Sequence, residues 1–236
     1  MHLMRIPVLL ASLFLTGCTS ISLNPSIEQK DPFESFNRSV FAFNDALDRT
    51  VIKPVAKGYS AVMPTPAKIM VNNFFSNLDD VVVTANDLLQ LKFKQAANDG
   101  ARVIFNTTFG IFGLINVTDK LEKHNEDFGQ TLGYWGVPSG PYLMLPILGP
   151  SSFRDGTGRY VDSFASVISN TQDVPTRNSG WAADGLNTRV NLLEQEKVMD
   201  DSIIDRYSFI RDVYLMHRQS LVYDGNPPRQ KFDDDE

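Results

Sequence analysis

The chain is poor in the side chains on which most enzyme active sites and metal centres depend. Its 236 residues include one cysteine and three histidines. A single cysteine, Cys18, excludes an intramolecular disulfide and a cysteine-based zinc site. The sequence also lacks the Gly-x-Ser-x-Gly, His-Glu-x-x-His and phosphate-loop patterns that place a nucleophile, a zinc ion or a nucleotide. We therefore predict no enzyme activity, no metal centre and no cofactor.

Positive charge is also in short supply. The chain has 22 lysines and arginines against 28 aspartates and glutamates, a net charge of -6. A nucleic-acid-binding domain would show a basic field, so we expect no nucleic-acid partner. Part of the acidic charge lies in the last residues, and we expect residues 225–236 to form an acidic, disordered tail.

The few histidines and the adjacent acidic pairs have ordinary structural interpretations. His217 is expected to be a cation near the C-terminus of the last helix, and His124 is expected to be solvated in a charged stretch. The pairs Asp79–Asp80 and Asp200–Asp201 are interpreted as helix-start or surface carboxylates, because neighbours on a helix point to different faces. A weaker alternative makes Glu126 and Asp127 the acid and base of an envelope hydrolase.

The N-terminal residues have the pattern of a secreted, lipid-anchored protein. Residues 1–17 have a short basic start and an apolar stretch, as a signal peptide does. The following Leu-Thr-Gly-Cys resembles a bacterial lipobox, which makes Cys18 the lipidation site and residues 18–30 a lipidated tether. In lipoproteins that this segment resembles, Thr rather than Asp at position 19 favours sorting to the outer membrane.

The body of the chain, residues 31–224, reads as a single all-α domain. Apolar residues at three- and four-residue steps predict a first helix, with Asp31 as cap, Pro32 at its first position, Glu34 closing a capping box and Pro54 ending it. Those apolar residues are Phe33, Phe36, Val40, Phe43, Leu47 and Val51.

Further helices are expected along the rest of the domain. They should begin at Thr65, cover residues 81–91, run from Phe93 to Val117, begin again near Gly158, and then, after a loop at 170–180, cover 181–200 and 201–223. In the last helix, Asp200 and Asp201 suit the N-terminus and His217 and Arg218 the C-terminus. Gly110 and Gly113 predict a bend or close packing within the 93–117 helix.

A long uncharged run separates the two halves of the domain. Residues 128–153 contain no charged side chain, yet they include five glycines and four prolines, which exclude one regular helix. We expect an irregular Gly/Pro-rich segment there. Two surroundings remain open: an ordinary soluble core with a tight loop, or a protein set partly into a bilayer, where irregular backbone must be buried in protein or line a cavity.

Three stretches, together with the lipobox, resemble the MlaA (VacJ) family of outer-membrane lipoproteins. They are DPFESFNR (31–38), EDFGQTLGYWG (126–136) and GPYLMLPILGPSSFRD (140–155). We expect an ion pair between the Arg154–Asp155 and Glu126–Asp127 pairs. The motif residues to which we assign a structural role are Asp31, Pro32, Glu34, Asn37, Arg38, Glu126, Asp127, Gly129, Arg154 and Asp155.

The resemblance implies a fold, a role and partners. The fold is a helical ring with an amphipathic central channel, embedded in the inner leaflet of the outer membrane and facing the periplasm. The role is to remove mislocalised phospholipids from the outer leaflet, which maintains lipid asymmetry. The partners are phospholipid, trimeric porins and a periplasmic lipid-shuttle protein similar to MlaC. An alternative from another class is a lipid-anchored scaffold that binds porins or envelope complexes without moving lipid.

The uncharged segments supply the channel or gate candidates. Phe109 and Phe112 are expected to face lipid, and aromatic rings with polar tips suit the headgroup level. Leu143 to Leu148 are expected to form a channel wall or a mobile gate. The full set of candidates is Phe109, Phe112, Tyr134, Trp135, Tyr142, Leu143, Leu145 and Leu148, with Tyr134, Trp135 and Tyr142 at headgroup level.

Overall fold

Helices dominate the part of the chain that the computed structural model describes, residues 31–199 and 205–228, which confirms the mostly helical prediction. The predicted signal peptide, Cys18, the tether, the Asp200–Asp201 pair and the end of the tail lie outside these residues. In order, the elements are α1 (Glu34–Leu47), a π-turn (Asp48–Ile52), α2 (Lys53–Val62), α3 (Thr65–Leu89), α4 (Phe93–Phe109), α5 (Phe128–Tyr134), β1 (Tyr142–Leu145), β2 (Gly149–Ser152), α6 (Phe153–Asp162), α7 (Val174–Met199) and α8 (Arg206–Val222).

The first predicted helix forms, but Pro54 does not end it. The chain passes from α1 through the π-turn into α2 and leaves the helix only at Met63. The π-turn changes the hydrogen-bond register just before Pro54. A proline is tolerated at the start of a helical segment, where an amide needs no intrahelical partner.

The predicted caps of this helix are also wrong. Phe33 occupies the cap position without a side-chain hydrogen bond, and Pro32 lies in the turn before the helix. Glu34 accepts a hydrogen bond from Arg38 Nε at 2.7 Å instead of closing a capping box. Asp31 is buried, and its carboxylate is used in tertiary contacts, so it is not available to the helix amides.

Helices α3 and α4 form a closely packed pair. The Val81–Val83 run, for which a strand was an alternative, lies inside α3. Helix α4 ends at Phe109 instead of reaching Val117, because the backbone turns to left-handed conformations at Ile111, Phe112 and Gly113. The close packing expected at Gly110 is confirmed, because a Cβ there would overlap the carbonyl oxygens of Ile115 and Asn106, but the helix ends at this point instead of bending.

The uncharged run contains regular structure that the sequence analysis did not predict. It begins with α5 and continues into an antiparallel hairpin, in which Tyr142 pairs with Ser152 and Leu145 with Gly149. The turn uses positive φ angles at Ile147 and Gly149. The core lies under this hairpin, where Tyr142 and Met144 of β1 pack against Tyr207 of α8.

The last two described helices differ from the prediction at their ends. Helix α7 begins at Val174, inside the predicted loop, and Asp173 accepts the amide of Thr176 at 2.9 Å. Helix α8 begins at Arg206, and the Asp205 side chain accepts the amides of Tyr207 and Ser208. Because α8 continues to Val222, His217 and Arg218 lie more than one helical turn before its end, and they do not serve as C-terminal cations. Among the described residues, no helix has both the length and the apolar character needed to cross a bilayer.

Candidate functional site

The described surface and interior have unusual compositions. Many interior side chains are polar or charged, among them Asp80, Asp87 and Asp99 with no exposed surface. Many large apolar side chains are exposed, and Phe112 is 75% accessible. Exposed apolar area of this extent marks a surface that contacts a partner or a membrane.

A cleft lies between α3 and α7 and is completed by the segment after α6 and by Lys123. Its volume is about 570 Å³. We call it the α3–α7 cleft. Its polar lining is Asn72, Ser76, Asp79, Lys123, Ser166, Asp184, Asn187, Thr188 and Asn191, and its apolar lining is Phe75, Leu78, Val82, Ile168 and Leu192. The cleft therefore combines the two chemical characters that an amphipathic ligand needs.

The two neighbouring aspartates of α3 have different environments at this cleft. The Asp80 side chain is completely buried and accepts from Arg102 Nε at 3.2 Å and from Lys123 Nζ at 2.8 Å. Asp79 points the other way into the cleft, and 59% of its side chain is accessible. The prediction of different faces is confirmed, but the interpretation of Asp80 as a surface carboxylate is wrong, because two cations compensate its burial.

Neighbouring cations do not fully neutralise the two acidic side chains of the cleft, Asp79 and Asp184. The surrounding cleft walls raise the pKa of Asp79, and the negative charges of Asp80 and Asp184 add to the rise against the opposing effect of Lys123. Burial also raises the pKa of Asp184. Both shifts have the direction expected for carboxylates that lose water, and for Asp79 the charge of Lys123, 3.9 Å away, opposes the rise only in part.

A separate, apolar surface lies at the end of the α3–α4 pair. Residues 109–117, which we call the apolar tip, carry exposed side chains at Phe109, Ile111, Phe112, Ile115 and Val117. Phe105 stacks on Phe109 with ring centroids 6.0 Å apart, and the two rings border a groove with residues 117–121. The exposed side chains of the tip thus form a compact apolar surface.

Two asparagines of α1 hold the hairpin strand β1. Asn37 donates to the Tyr142 carbonyl oxygen at 3.1 Å and accepts the Met144 amide at 2.9 Å. Two helical turns further along α1, Asn44 donates to the Leu145 carbonyl oxygen at 2.9 Å and accepts a hydrogen bond from the Ile147 amide at 2.8 Å. These side-chain amides satisfy backbone groups on the edge of β1 that a third strand would otherwise pair. Asn37 was a predicted motif residue, whereas Asn44 was missed.

Asp31 fixes the beginning of the described chain to α8. Its carboxylate accepts from Asn37 Nδ2 at 2.8 Å, from the Tyr207 hydroxyl and from Arg211 NH1 at 3.4 Å. Burial, followed by the hydrogen bond to Asp31 and the negative charge of that carboxylate, raises the pKa of Tyr207. Arg38 lies over the Tyr207 ring at 4.4 Å, and its NH2 donates to Asp205 at 2.8 Å. The first motif therefore joins α1 to α8.

The other two motifs meet at Arg218. The Asp127 side chain caps α5 by accepting the Gln130 amide at 2.9 Å, and Asp155 accepts from the Tyr214 hydroxyl at 2.7 Å. Burial works against ionisation of Asp127 and Asp155, but hydrogen bonds and the charge of Arg218 outweigh it and hold both pKa values below the ordinary range. The cluster joins α5, α6 and α8.

The expected pairing between the two motifs is therefore wrong in its partners. Arg154 pairs with its neighbour Asp155 at 3.1 Å, and Glu126 pairs with Lys92 at 2.8 Å and accepts from Gln90. Arg218, which the sequence analysis placed at a helix end, is the cation that joins the two motifs. Gly129 lies in this contact, because an added Cβ would come within 2.6 Å of Asp155 Oδ1.

His124 is not solvated as predicted. Its Nδ1 lies 2.6 Å from Asp99 Oδ2, and only 15% of the side chain is accessible. Nearby Asp87 is completely buried, and neither of its carboxylate oxygens has a hydrogen-bond partner among the described residues. Burial, with the charges of Asp99 and Glu126, raises the Asp87 pKa to about 7. In the described ranges, no group of three or more His, Cys, Asp or Glu side chains is arranged to hold a metal ion.

The predicted channel or gate residues do not gather at one place. Tyr142 was expected at headgroup level, but it is completely buried, with its ring 6.2 Å from that of Tyr207. Tyr134 and Trp135 are exposed and pack edge to face at 5.4 Å. Leu143 and Leu145 are half-buried on β1, Leu148 is exposed at the hairpin turn, and Phe109 and Phe112 belong to the apolar tip. None of the eight borders the α3–α7 cleft, so their role in lipid movement stays a prediction.

Comparisons with known proteins place this chain among envelope lipoproteins. A family model described as "MlaA lipoprotein" matches residues 29–221. An Escherichia coli K12 protein named "Intermembrane phospholipid transport system lipoprotein MlaA" is 32% identical over 240 residues, covering 96% of this chain and 94% of that protein. A Haemophilus influenzae protein of the same name is 31% identical over 225 residues, covering 92% and 89%.

A solved structure has a similar fold. It comes from work described as "Structural basis for maintenance of bacterial outer membrane lipid asymmetry". Its TM-score is 0.72 at 32% sequence identity, with 81% of this chain and 98% of that chain covered. The similarity in sequence and the similarity in fold thus agree on the same group of proteins.

Proposed function

The chain belongs to the MlaA lipoprotein family, and from this premise we propose that it moves phospholipids out of the outer leaflet of the outer membrane. It passes them to a periplasmic lipid-shuttle protein and so maintains lipid asymmetry. The names of the two relatives and the subject of the similar structure support the proposal. The sequence has no nucleotide-binding loop, so the chain acts as a passive conduit and energy enters elsewhere.

The α3–α7 cleft is the observation that carries this function. A phospholipid has a polar headgroup and apolar acyl chains, and the cleft offers a polar and an apolar wall to match them. Its volume of about 570 Å³ lies within the usual range for small-molecule sites, roughly 300–1,000 Å³. We therefore assign the lipid path to this cleft, which the sequence analysis did not identify.

The exposed apolar side chains support a location in the inner leaflet. The apolar tip carries Phe109 and Phe112, and the aromatic pair Tyr134–Trp135 is exposed as well. Amphipathic aromatic rings favour the headgroup region of a bilayer, and exposed apolar projections favour its hydrocarbon. The lipidated Cys18 adds a covalent anchor, so the protein has two independent reasons to stay at the membrane.

A scaffold function has its own supporting observation. Apolar side chains along α1 and α2 are exposed outside the α3–α7 cleft, among them Phe36, Phe43, Val55 and Val62. Such a stripe suits contact with a trimeric porin or another envelope protein. One protein can both bind a porin and move lipid. The scaffold alternative differs from the conduit only because the protein would bind porin without moving lipid.

Removing the protein tests the function directly. In cells that lack it, a membrane-impermeant amine-reactive reagent should label more outer-leaflet phospholipid than in parent cells. Unchanged labelling would contradict the conduit. The substitution Leu192→Glu, in the apolar lining of the cleft, then separates the two functions. A conduit loses lipid movement and keeps porin binding, whereas a scaffold, whose contact surface lies outside the cleft, keeps the parent level of both porin binding and outer-leaflet phospholipid.

A further inference from the structure

The α3–α7 cleft presents two carboxylates with unused hydrogen-bond capacity. Within the described residues, no donor bonds to the side chain of Asp79 or of Asp184. The nearest cation to Asp79 is Lys123, at 3.9 Å. Asp184 lies on the face of α7 that also places Asn187, Thr188 and Asn191 in the cleft. The two free acceptors therefore belong to one cavity, but to helices on opposite sides of it.

Lys123, the one cation among the described residues that line the cleft, is already engaged. Lys123 Nζ donates to Ser76 Oγ at 2.7 Å and to Asp80 Oδ1 at 2.8 Å, and it is 3.4 Å from the Ser76 carbonyl oxygen. An ammonium group has three hydrogens, so these contacts use its donor capacity. The charge of Lys123 offsets that of buried Asp80, and Asp79 and Asp184 remain as an excess of negative charge facing the cavity.

We propose that the cleft selects phospholipids whose headgroup carries a primary ammonium group, which the carboxylates of Asp79 and Asp184 bind. This inference rests on the proposed function, because it presumes that phospholipid enters the cleft. The apolar lining, with Phe75, Val82 and Leu192, takes the acyl chains. The raised pKa values of the two aspartates agree with this arrangement, because a bound cation relieves the repulsion and the loss of water.

Chemistry distinguishes three common headgroups at such a site. A primary ammonium brings positive charge and three N–H donors to the two free acceptors. A choline group has the charge but no donor, and a phosphoglycerol headgroup adds negative charge that both aspartates repel. A primary ammonium is attracted to the two aspartates and donates to them, whereas a phosphoglycerol headgroup has a net negative charge, so we expect a preference on the order of tenfold for ammonium over phosphoglycerol.

Photocrosslinking in the membrane-bound protein tests the selection. The full lipidated chain, with a benzoylphenylalanine in place of Thr188, is reconstituted into vesicles of equal parts phosphatidylethanolamine, phosphatidylcholine and phosphatidylglycerol. After illumination, mass spectrometry identifies the lipid joined to the chain. We expect phosphatidylethanolamine adducts to exceed phosphatidylglycerol adducts about tenfold. Equal shares of the three lipids would overturn the headgroup inference and leave the proposed function intact.

Matched charge variants show which carboxylates carry the preference. In the crosslinking protein, the pair Asp79→Asn and Asp184→Asn should bring the three adducts to near-equal shares while their total amount stays similar. Glu122→Gln is the control, because it removes one negative charge from a side chain that is 80% accessible and lies outside the cleft. A preference that persists in the double variant overturns the inference. If Thr188 gives no lipid adduct while benzoylphenylalanine at Phe112 does, the proposed lipid path fails as well.

Discussion

Arg218 and Asp127 form a two-point ion pair that joins α8 to the first turn of α5. Arg218 NH1 lies 2.5 Å from Asp127 Oδ2, and NH2 lies 2.8 Å from Oδ1. The planar fork of a guanidinium fits a carboxylate in this geometry, which orients the two helices as well as attracting them. Arg218 also donates to Asp155 of α6, so one side chain organises three helices.

Substitution of Arg218 should therefore destabilise the whole fold. Arg218→Ala leaves Asp155 buried without its main cation and removes the two-point ion pair of Asp127. The loss should lower the free energy of unfolding by about 3 kcal/mol. Urea unfolding of the purified protein measures the change. His217→Ala is the control, because His217 is exposed beside Arg218 on the same helix. Equal stabilities of Arg218→Ala and His217→Ala would contradict the structural role.

Asp87 should make the fold less stable as the pH rises towards neutrality. Its pKa is about 7 in the folded protein, against an ordinary value of 3.8. When the pKa of a carboxyl is higher in the folded than in the unfolded protein, its contribution to the free energy of unfolding is fully present below the unfolded-state pKa. That contribution is lost as the pH rises to the folded-state pKa. The stability should thus fall between about pH 4 and pH 7 through this group.

The variant Asp87→Asn removes this pH dependence. At pH 8 it should be more stable than the parent chain by about 3–4 kcal/mol, because no buried charge forms next to Asp99 and Glu126. At pH 4 the two proteins should be nearly equal in stability. Unfolding curves at the two pH values measure both differences. If the free energies of unfolding of the parent and the variant differ by the same amount at pH 4 and at pH 8, the result would contradict the raised pKa of Asp87.

Gly158 should be intolerant of even one added carbon. A Cβ there would overlap the backbone nitrogen of Gly129, where α6 crosses α5. We expect Gly158→Ala to lower the melting temperature, with a loss of about 1–3 kcal/mol from overpacking. Gly58 of α2 has no atom within 4 Å of the corresponding position, so Gly58→Ala should stabilise by about 0.5–1 kcal/mol. A tolerated Gly158→Ala would contradict the close helix crossing.

Local periodicity was enough to predict most helices, and one missed helix had a readable signal. The three- and four-residue spacing from Phe33 to Leu47 predicted α1 correctly. Helix α5 has Asp127 as its cap and Gln130 three residues later, which is a capping-box pattern. The glycines and prolines of the uncharged run favour irregular backbone, and this preference obscures the capping signal. Element ends were less predictable, because Pro54 and Asp31 depend on a π-turn and on tertiary partners.

The α3–α7 cleft could not be predicted from the sequence. Asp79 and Asp184 are more than a hundred residues apart, and each looks like an ordinary helix-surface acid until the two helices pack. Arg218 likewise looked like a helix-end cation, because its partners are 91 and 63 residues away. Sequence reasoning gave the chemistry of these residues but not their neighbours, which only the tertiary packing decides.

The apolar tip should hold the protein in the membrane without its lipid. We expect the Cys18→Ser chain, secreted with a cleavable signal, to stay with the outer-membrane fraction after salt and carbonate washes. Adding Phe112→Glu should release a large share, because a charge at the tip opposes insertion. Met216→Glu is the control at a similarly exposed side chain, 63% against 75%. Complete release of Cys18→Ser alone would mean that the lipid is the sole anchor.

The most direct test of the account asks whether lipid passes through the α3–α7 cleft. Leu192 lines the cleft and is 45% accessible, while Leu88 lies outside its lining and is 50% accessible, so a glutamate should fold equally well at both. Each variant is returned to cells that lack the protein, and outer-leaflet phospholipid is labelled. We predict that Leu88→Glu restores the parent level and that Leu192→Glu does not, because a charge on the apolar wall blocks the acyl chains. Full restoration by Leu192→Glu, at equal protein abundance, would contradict it.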